Sequence, residues 1–370
     1  MASSIKGKDI VFVCGARDFH AMDKYKMTAE ALYPRRVILL TDRISSEGQP
    51  RLITNDTPVR SLYIIDWLLF KKQSSLGNIW RNAIKTLFIP VQVNRLKKFY
   101  KNNPDCIYHA IPMYYMVLCY LAKVPFIATP QGSEILVRPL NSKIYKTYAI
   151  KCLRAAKKVI VDSVNMKKKV FELCSVDSIV LKNGFNTSKI INTAANTDPN
   201  ERTIILSVRG LNPVYRIGDI LRARNHLKEK HPITFVYPAS VEDYKIRITG
   251  KFIPKDRDLG RLDKDTLYGY MAKTLLAISI PESDSSPRSV YECIFAGACV
   301  AVTYSPYIDE LPKCMRDRLY LIDLNDVNWF EKAMASARQI TKNPFIPSEE
   351  ALNMCDQERT ISKIVNVVYS

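Results

Sequence analysis

Two short stretches carry side chains whose types and spacing could do chemistry. In PESDSSPRSVYECIFAG, residues 281–297, Asp284 and Glu292 flank a turn of serines and Pro287 that follows the apolar run LLAISI. A helix starting near Arg288 would present unpaired backbone N–H groups and a positive dipole end, a ready place for an anion. A carboxylate on its first turn could accept hydrogen bonds from a sugar or ribose diol. The same carboxylate could instead simply cap the helix. In SVRGLNPVYR, residues 207–216, Arg209 and Arg216 lie on either side of a turn containing Pro213. Two guanidinium groups there could clamp a diphosphate, because planar donors match phosphate oxygens. The alternative is two surface arginines.

Weaker signals sit elsewhere. VCGARDF places Gly15 at a strand end, where backbone can approach a ligand closely, though without a GxGxxG fingerprint. His109 ends the strand DCIYHA, as either a structural histidine or a site residue. TPQGSEI ends another strand with Gly132, Ser133 and Glu134. The nine cysteines form no CxxC pair and no Cys/His group at zinc spacing, which points to reduced thiols. No paired-carboxylate site of the DxD type that would support a metal stands out either, so neither a metal nor a cofactor is expected.

Positioning these residues is the task of an alternating pattern. DIVFVCGA, RRVILLT, PDCIYHA, VPFIATPQG, KKVIVDS and SIVLKNG read as strands, with helices such as SKIYKTYAIKCLRAA and NMKKKVFEL among them. The polar stretch 192–201 then reads as a linker, after which RTIILSVRG, ITFVYPA, LLAISIP and ACVAVTY resume the alternation. Alternation of this kind means parallel sheets covered on both faces, with ligands at the carboxyl ends of strands. The expected class is α/β: a domain over 1–192, a second over 200–350, and a C-terminal helix over 351–370 that crosses back to the first.

Charge is unevenly shared. Residues 1–195 hold 31 Lys/Arg against 13 Asp/Glu, whereas residues 196–370 hold 24 against 23, out of a net +19. A basic half suits an acidic partner: an anionic membrane surface, a phosphate-bearing acceptor or nucleic acid. RNP, zinc-finger and helix-turn-helix signatures are all absent, so nucleic acid is excluded. Residues 61–101 interleave Trp67, Phe70, Trp80, Phe88 and Phe99 with Lys71, Lys72, Arg81, Lys85, Arg95, Lys97 and Lys98. That mixture suits a helix lying in an anionic lipid interface, or an amphipathic helix pair packed on a sheet. The sequence shows no secretory signal and no spanning helix.

In order and spacing these segments together resemble glycosyltransferase family 4, with its GT-B fold of two Rossmann-like domains facing across a cleft. The likeness covers most of the chain and is strongest over 200–305, through LSVRGLNPVYRIGDILRA and GRLDKDTLYGYMAKTLLAISIPESDSSPRSVYECIFAGACVAVT. The resemblance implies that Glu292 holds the donor ribose and that Asp284 faces the transferred sugar. It implies that backbone amides around Ser286, Arg288, Ser289 and Val290 face the sugar and diphosphate, that Arg209 binds the diphosphate, and that His109 lies near the sugar. Gly15 and Ala16 correspond to the glycine loop beside the diphosphate. Departures are Asp284 for the usual Glu, Tyr215 or Arg216 where a Lys follows the arginine, Gln131 for a His, and Ala16 for a second Gly.

The resemblance further implies retaining transfer of a sugar from a nucleotide diphosphate, with Arg209, Arg216 and helix-start amides neutralising the leaving group. His109, Asp284 and Arg209 would be catalytic. The acceptor is expected to be a lipid-linked saccharide, which the basic first half would suit, as in surface polysaccharide, O-antigen, lipopolysaccharide or capsule assembly. The enzyme is expected to be cytoplasmic and peripheral on the inner face of the membrane. The competing expectation is a non-catalytic GT-B relative acting as a binding or partner subunit.

Overall fold

A computed structural model describes residues 8–15, 18–43, 59–64 and 75–369. Ala16, Trp67, Phe70, Lys71 and Lys72 lie outside the described residues. The chain forms two compact units, parting between Lys182 and Asn183, with the first unit completed by residues from Thr360 onward.

The first unit is built on seven strands: β1 (Ile10–Cys14), β2 (Val37–Arg43), β3 (Val59–Ile64), β4 (Ile107–Ile111), β5 (Phe126–Ala128), β6 (Lys158–Val161) and β7 (Ile179–Val180). All pair in parallel in the order β3-β2-β1-β4-β5-β6-β7, with Ile10 opposite both Val37 and Ile107. Helices cover both faces, so β1 reads as an unbroken apolar run, IVFVC, buried at every residue. One core packs Leu96, Met116, Leu118, Ala149 and Leu153 against the sheet, and the other packs Met22, Ile361, Ile364 and Val368 against it. The last helix, Gln357–Val368, thus closes the second face of this sheet with its apolar stripe.

The second unit has six strands: β8 (Ile204–Ser207), β9 (Ile233–Val236), β10 (Arg257–Gly260), β11 (Thr274–Ser279), β12 (Cys299–Val302) and β13 (Leu319–Leu321). Their order, β10-β9-β8-β11-β12-β13, repeats the doubly wound plan. In both sheets the winding reverses at the strand pair that joins its two halves, β1 with β4 and β8 with β11. A crevice opens outside the carboxyl ends there, which is where such sheets take ligands.

The stretch 192–201 lies inside the second unit and is partly helical. Thr187–Ala195 is a helix whose start Asn186 caps by accepting from the Lys189 amide, and it packs on helix Lys264–Ala272. Its solvent face makes it polar, and with Ile190 as its fully buried apolar anchor it lacks the periodicity that announces a helix. All nine cysteines are unpaired.

Candidate functional site

A cluster of charged side chains lies beyond β11 and β8. β11 runs into a loop from Ile280 to Pro287, and helix Arg288–Phe295 begins where Pro287 fixes the entry. One turn into that helix, Glu292 is almost completely buried. Its Oε1 accepts from Lys264 Nζ at 2.6 Å, Arg288 Nε at 3.2 Å and Tyr268 Oη at 3.3 Å. Burial alone would push this carboxyl up, but Lys264 and Arg288 outweigh it and hold the pKa below the ordinary glutamate value. Glu292 is therefore a carboxylate at neutral pH.

Lys264 and Tyr268 were not singled out in the sequence. Lys264 is the first residue of helix Lys264–Ala272, capped by Asp263, and beside such a cap a lysine reads as surface. The signal available was its place on the helix that precedes β11.

The loop after β8 supplies the other half. Arg209 Nε donates to Ser279 Oγ at 2.7 Å, and its Nη2 lies 2.7 Å from Asp284 Oδ2. The guanidinium also sits over the Tyr215 ring, 5.7 Å from the centroid. Two residues expected to meet a ligand thus meet each other. The loop is shaped by Asn212, whose side chain accepts from the Val214 amide, and by Pro213. It is tied to the loop after β11 by Glu282 N donating to Val214 O at 2.9 Å, while Ser305 Oγ donates to the Asp284 carbonyl at 3.2 Å.

Arg216 adopts φ 51°, ψ 35° as it starts helix Ile217–His226. Among the described residues the other non-glycine positions with positive φ, Lys123 and Ser175, end helices, where left-handed backbone is ordinary. Arg216 likewise ends the short 3-10 turn Pro213–Tyr215, its amide donating to the Pro213 carbonyl at 3.0 Å, before the next helix begins.

The expected cradle of amides is only partly open. The Val290 amide already donates to the Pro287 carbonyl at 2.9 Å, and Val290 itself is wholly buried. The amides of Ser286 and Ser289 have no backbone partner among the described residues.

In the first unit, Gly15 follows β1, and a Cβ added there would lie 2.8 Å from Tyr115 Oη. Tyr115 donates to Asp42, whose other oxygen pairs with Lys85 Nζ at 2.8 Å. Gln131 donates to Asp18 at 2.5 Å. The catalytic expectation for His109 does not match its surroundings. It is fully buried in β4, with Nδ1 2.6 Å from Tyr369 Oη and Nε2 2.7 Å from Thr129 Oγ1. Burial, and Lys24 nearby, hold its pKa well below the ordinary value, so the ring is neutral. Both ring nitrogens are spent on tying Tyr369 and Thr129 to the sheet.

Helix Ser75–Leu87 turns Leu76, Ile79, Trp80 and Leu87 to solvent. Phe88 and Phe99 are half-buried, and Phe99 packs on the core. Lys97, Lys98 and Lys101 of the next helix are exposed and have no ion-pair partner among the described residues. Among the described residues no helix is long and apolar enough to cross a membrane, and no group of three His, Cys, Asp or Glu could hold a metal.

No protein-family model and no curated protein matches the chain. Solved structures do match. HepE from Anabaena, in complex with UDP and glucose, is 14% identical with a TM-score of 0.70, over 98% of this chain and 100% of that one. Sucrose-phosphate synthase from Thermosynechococcus elongatus is 13% identical with a TM-score of 0.75, over 97% and 98%. The lipopolysaccharide outer core galactosyltransferase WaaB, in its apo form, is 9% identical with a TM-score of 0.63, over 98% and 99%. At such identities the likeness concerns the fold, which is GT-B with two Rossmann-like units.

Proposed function

We propose that the chain is a retaining glycosyltransferase of the family 4 kind, moving a sugar from a nucleotide-diphosphate donor to a saccharide acceptor. The observation that carries this reading is the convergence of Arg209, Asp284, Arg288 and Glu292 at the carboxyl ends of β8 and β11. HepE, of the same fold, has been seen with UDP and with UDP-glucose.

In this reading the donor ribose hydroxyls donate to the Glu292 carboxylate, and the diphosphate faces Arg209, Arg216 and the open amides of Ser286 and Ser289. Arg209 has a donor to spare. Its Nε donates to Ser279, while Nη2 is ion-paired with Asp284 without completing a hydrogen bond. As the bond from the anomeric carbon to the diphosphate oxygen breaks, negative charge grows on the leaving group, and these fixed cations stabilise it. The acceptor hydroxyl oxygen forms the new bond on the same face of the sugar, and its proton passes to the departing diphosphate oxygen. Asp284 faces the transferred sugar, and the cations supply the charge a metal would otherwise supply.

The acceptor is proposed to be lipid-linked, as in surface polysaccharide or lipopolysaccharide assembly, with the enzyme peripheral on the inner face of the membrane. The outward Leu76, Ile79, Trp80 and Leu87, and the exposed Lys97, Lys98 and Lys101 of the next helix, support this. Failure to bind anionic liposomes at low salt counts against it.

A second reading, a non-catalytic binding subunit, is favoured by the pairing of Arg209 with Asp284 and Lys264 with Glu292, which occupies the ligand groups with each other. A thermal-shift panel of UDP, GDP, ADP and their sugars separates the two. One nucleotide should raise the melting temperature in wild type and not in Glu292→Ala, with turnover of its sugar conjugate. Binding without turnover selects the second reading, and no shift with any nucleotide removes both.

A further inference from the structure

The strands that carry the candidate site on their carboxyl ends carry something different at their amino ends. A cavity of about 550 Å³ opens there, lined in part by Arg202 and Thr203, which precede β8, and by His231, which precedes β9. Arg338 and Lys342, at the end of helix Trp329–Ile340, complete its charged wall. No carboxylate is among the lining residues.

Arg202 is half-buried and fixed. Its Nη2 donates to the Ala296 carbonyl at 2.8 Å, and its Nη1 reaches the Thr274 carbonyl at 3.4 Å. Gly297, at φ +86°, lets it lie flush, since a Cβ there would stand 2.7 Å from Nη2. Arg318 lies close by and is likewise bound by neutral groups, the carbonyls of Gly297, Ile340 and Asn343. Burial, and Arg318 beside it, hold the Arg202 pKa below the ordinary arginine value. Carbonyls at helix ends account for how the two arginines are held, but they do not neutralise two full charges. Arg338 adds another cation, exposed and without an ion-pair partner among the described residues, and Lys342 donates to the Gln339 side chain at 3.0 Å.

Accumulated positive charge around a concave space, with no acid in its lining and the neighbouring Glu201 already paired with Lys273, is stabilised by an anion. The volume is in the range of small-molecule sites, and guanidinium forks match phosphate oxygens. We infer that this cavity binds a phosphorylated small molecule, with Arg202 as the fixed contact and Arg338 and Lys342 closing over it. The site is separate from the proposed donor site, because it lies at the opposite ends of β8 and β9, and it does not depend on the donor reading.

The test is calorimetric titration of inorganic phosphate at constant ionic strength, into wild type, Arg338→Gln/Lys342→Gln and Arg209→Gln. Both substituted cavity residues are exposed, so the double variant should fold, which circular dichroism checks. Saturable binding should persist in Arg209→Gln and weaken roughly tenfold or more in the double variant, since each charge-assisted hydrogen bond contributes about that factor. Equal affinity in wild type and the double variant overturns the inference. So does the absence of saturable binding to wild type. Loss of all binding in Arg209→Gln also overturns it, by placing the phosphate in the donor site.

Discussion

Two arginine–aspartate pairs in the second unit use the same chemistry and finish it differently. Arg224 and Asp256 are both completely buried, 2.8 Å apart. Both Asp256 oxygens are saturated, one also accepting from the Ile233 amide at 2.8 Å and the other from the Ile253 amide at 2.9 Å. Arg209 and Asp284 touch at 2.7 Å with 11% and 17% of their side chains exposed. Asp284 Oδ1 has no partner among the described residues. The first carboxylate is closed by backbone and belongs to the fold. The second is left open to solvent, as a group that must exchange partners has to be.

The comparison is tested most strongly by deleting each carboxylate. Asp256→Ala should cost about 3–5 kcal/mol of stability, because it strands a buried guanidinium and two amides. Asp284→Ala should cost less, about 1–3 kcal/mol, since no amides are stranded and Arg209 keeps its bond to Ser279. Urea melts measure both. Equal losses would mean that the open pair is also a folding element.

Next in size is an effect on rate. Arg209→Gln should lower kcat with the donor that the panel identifies by roughly 10²–10³, the usual result of removing one donor to a developing anion. Its melting temperature should stay near wild type. A loss confined to KM would mean that Arg209 binds ground state and transition state alike.

The first unit offers a third contrast, since His109 is closed in the way Asp256 is. Its folded pKa lies well below the ordinary 6.5, so the unfolded state takes up a proton first as pH falls. Stability is full above about 6.5 and should decline by up to about 1.4 kcal/mol per pH unit below it. The groups facing the ring are Tyr369, Thr129, Phe12 and the Lys24 charge. His109→Gln should remove that slope between pH 6.5 and 5, at some cost in stability at pH 7. An unchanged slope would mean the ring is not held neutral.

These contrasts track what the sequence could convey. Strands such as β1 and β11 are apolar along their length and announce themselves. β10, RDLG, is a short edge strand whose residues are exposed or half-buried, and β13 has three residues, so neither offers a pattern. Helix Glu242–Thr249 has only Tyr244 and Ile248 buried, too few to show a period. Arg209, Asp284 and Glu292 were legible because their loops follow strong strands. Lys264 and Tyr268 reach Glu292 from 28 and 24 residues away, and His109 reaches Tyr369 from 260. Pairings at such separations are made by the sheet and leave no local mark.

The smallest expected effect concerns Lys264, and it asks how open the Glu292 cluster is. The lysine side chain is 47% exposed, whereas that of Glu292 is 3% exposed. Solvent screens the lysine end, so Lys264→Met should cost less than about 1 kcal/mol. Arg288 and Tyr268 still hold Oε1 in the variant. The sharper readout is pH. Glu292 is depressed below its ordinary 4.5, so the stability it contributes is present above about 4.5 and is lost as pH falls through the lower folded value. Removing Lys264 takes away the first of the charges that offset burial, so the folded pKa should rise and the acid loss should begin at higher pH. Acid melts of the two proteins measure that displacement, and a coincident acid limb would assign the depression of Glu292 to Arg288.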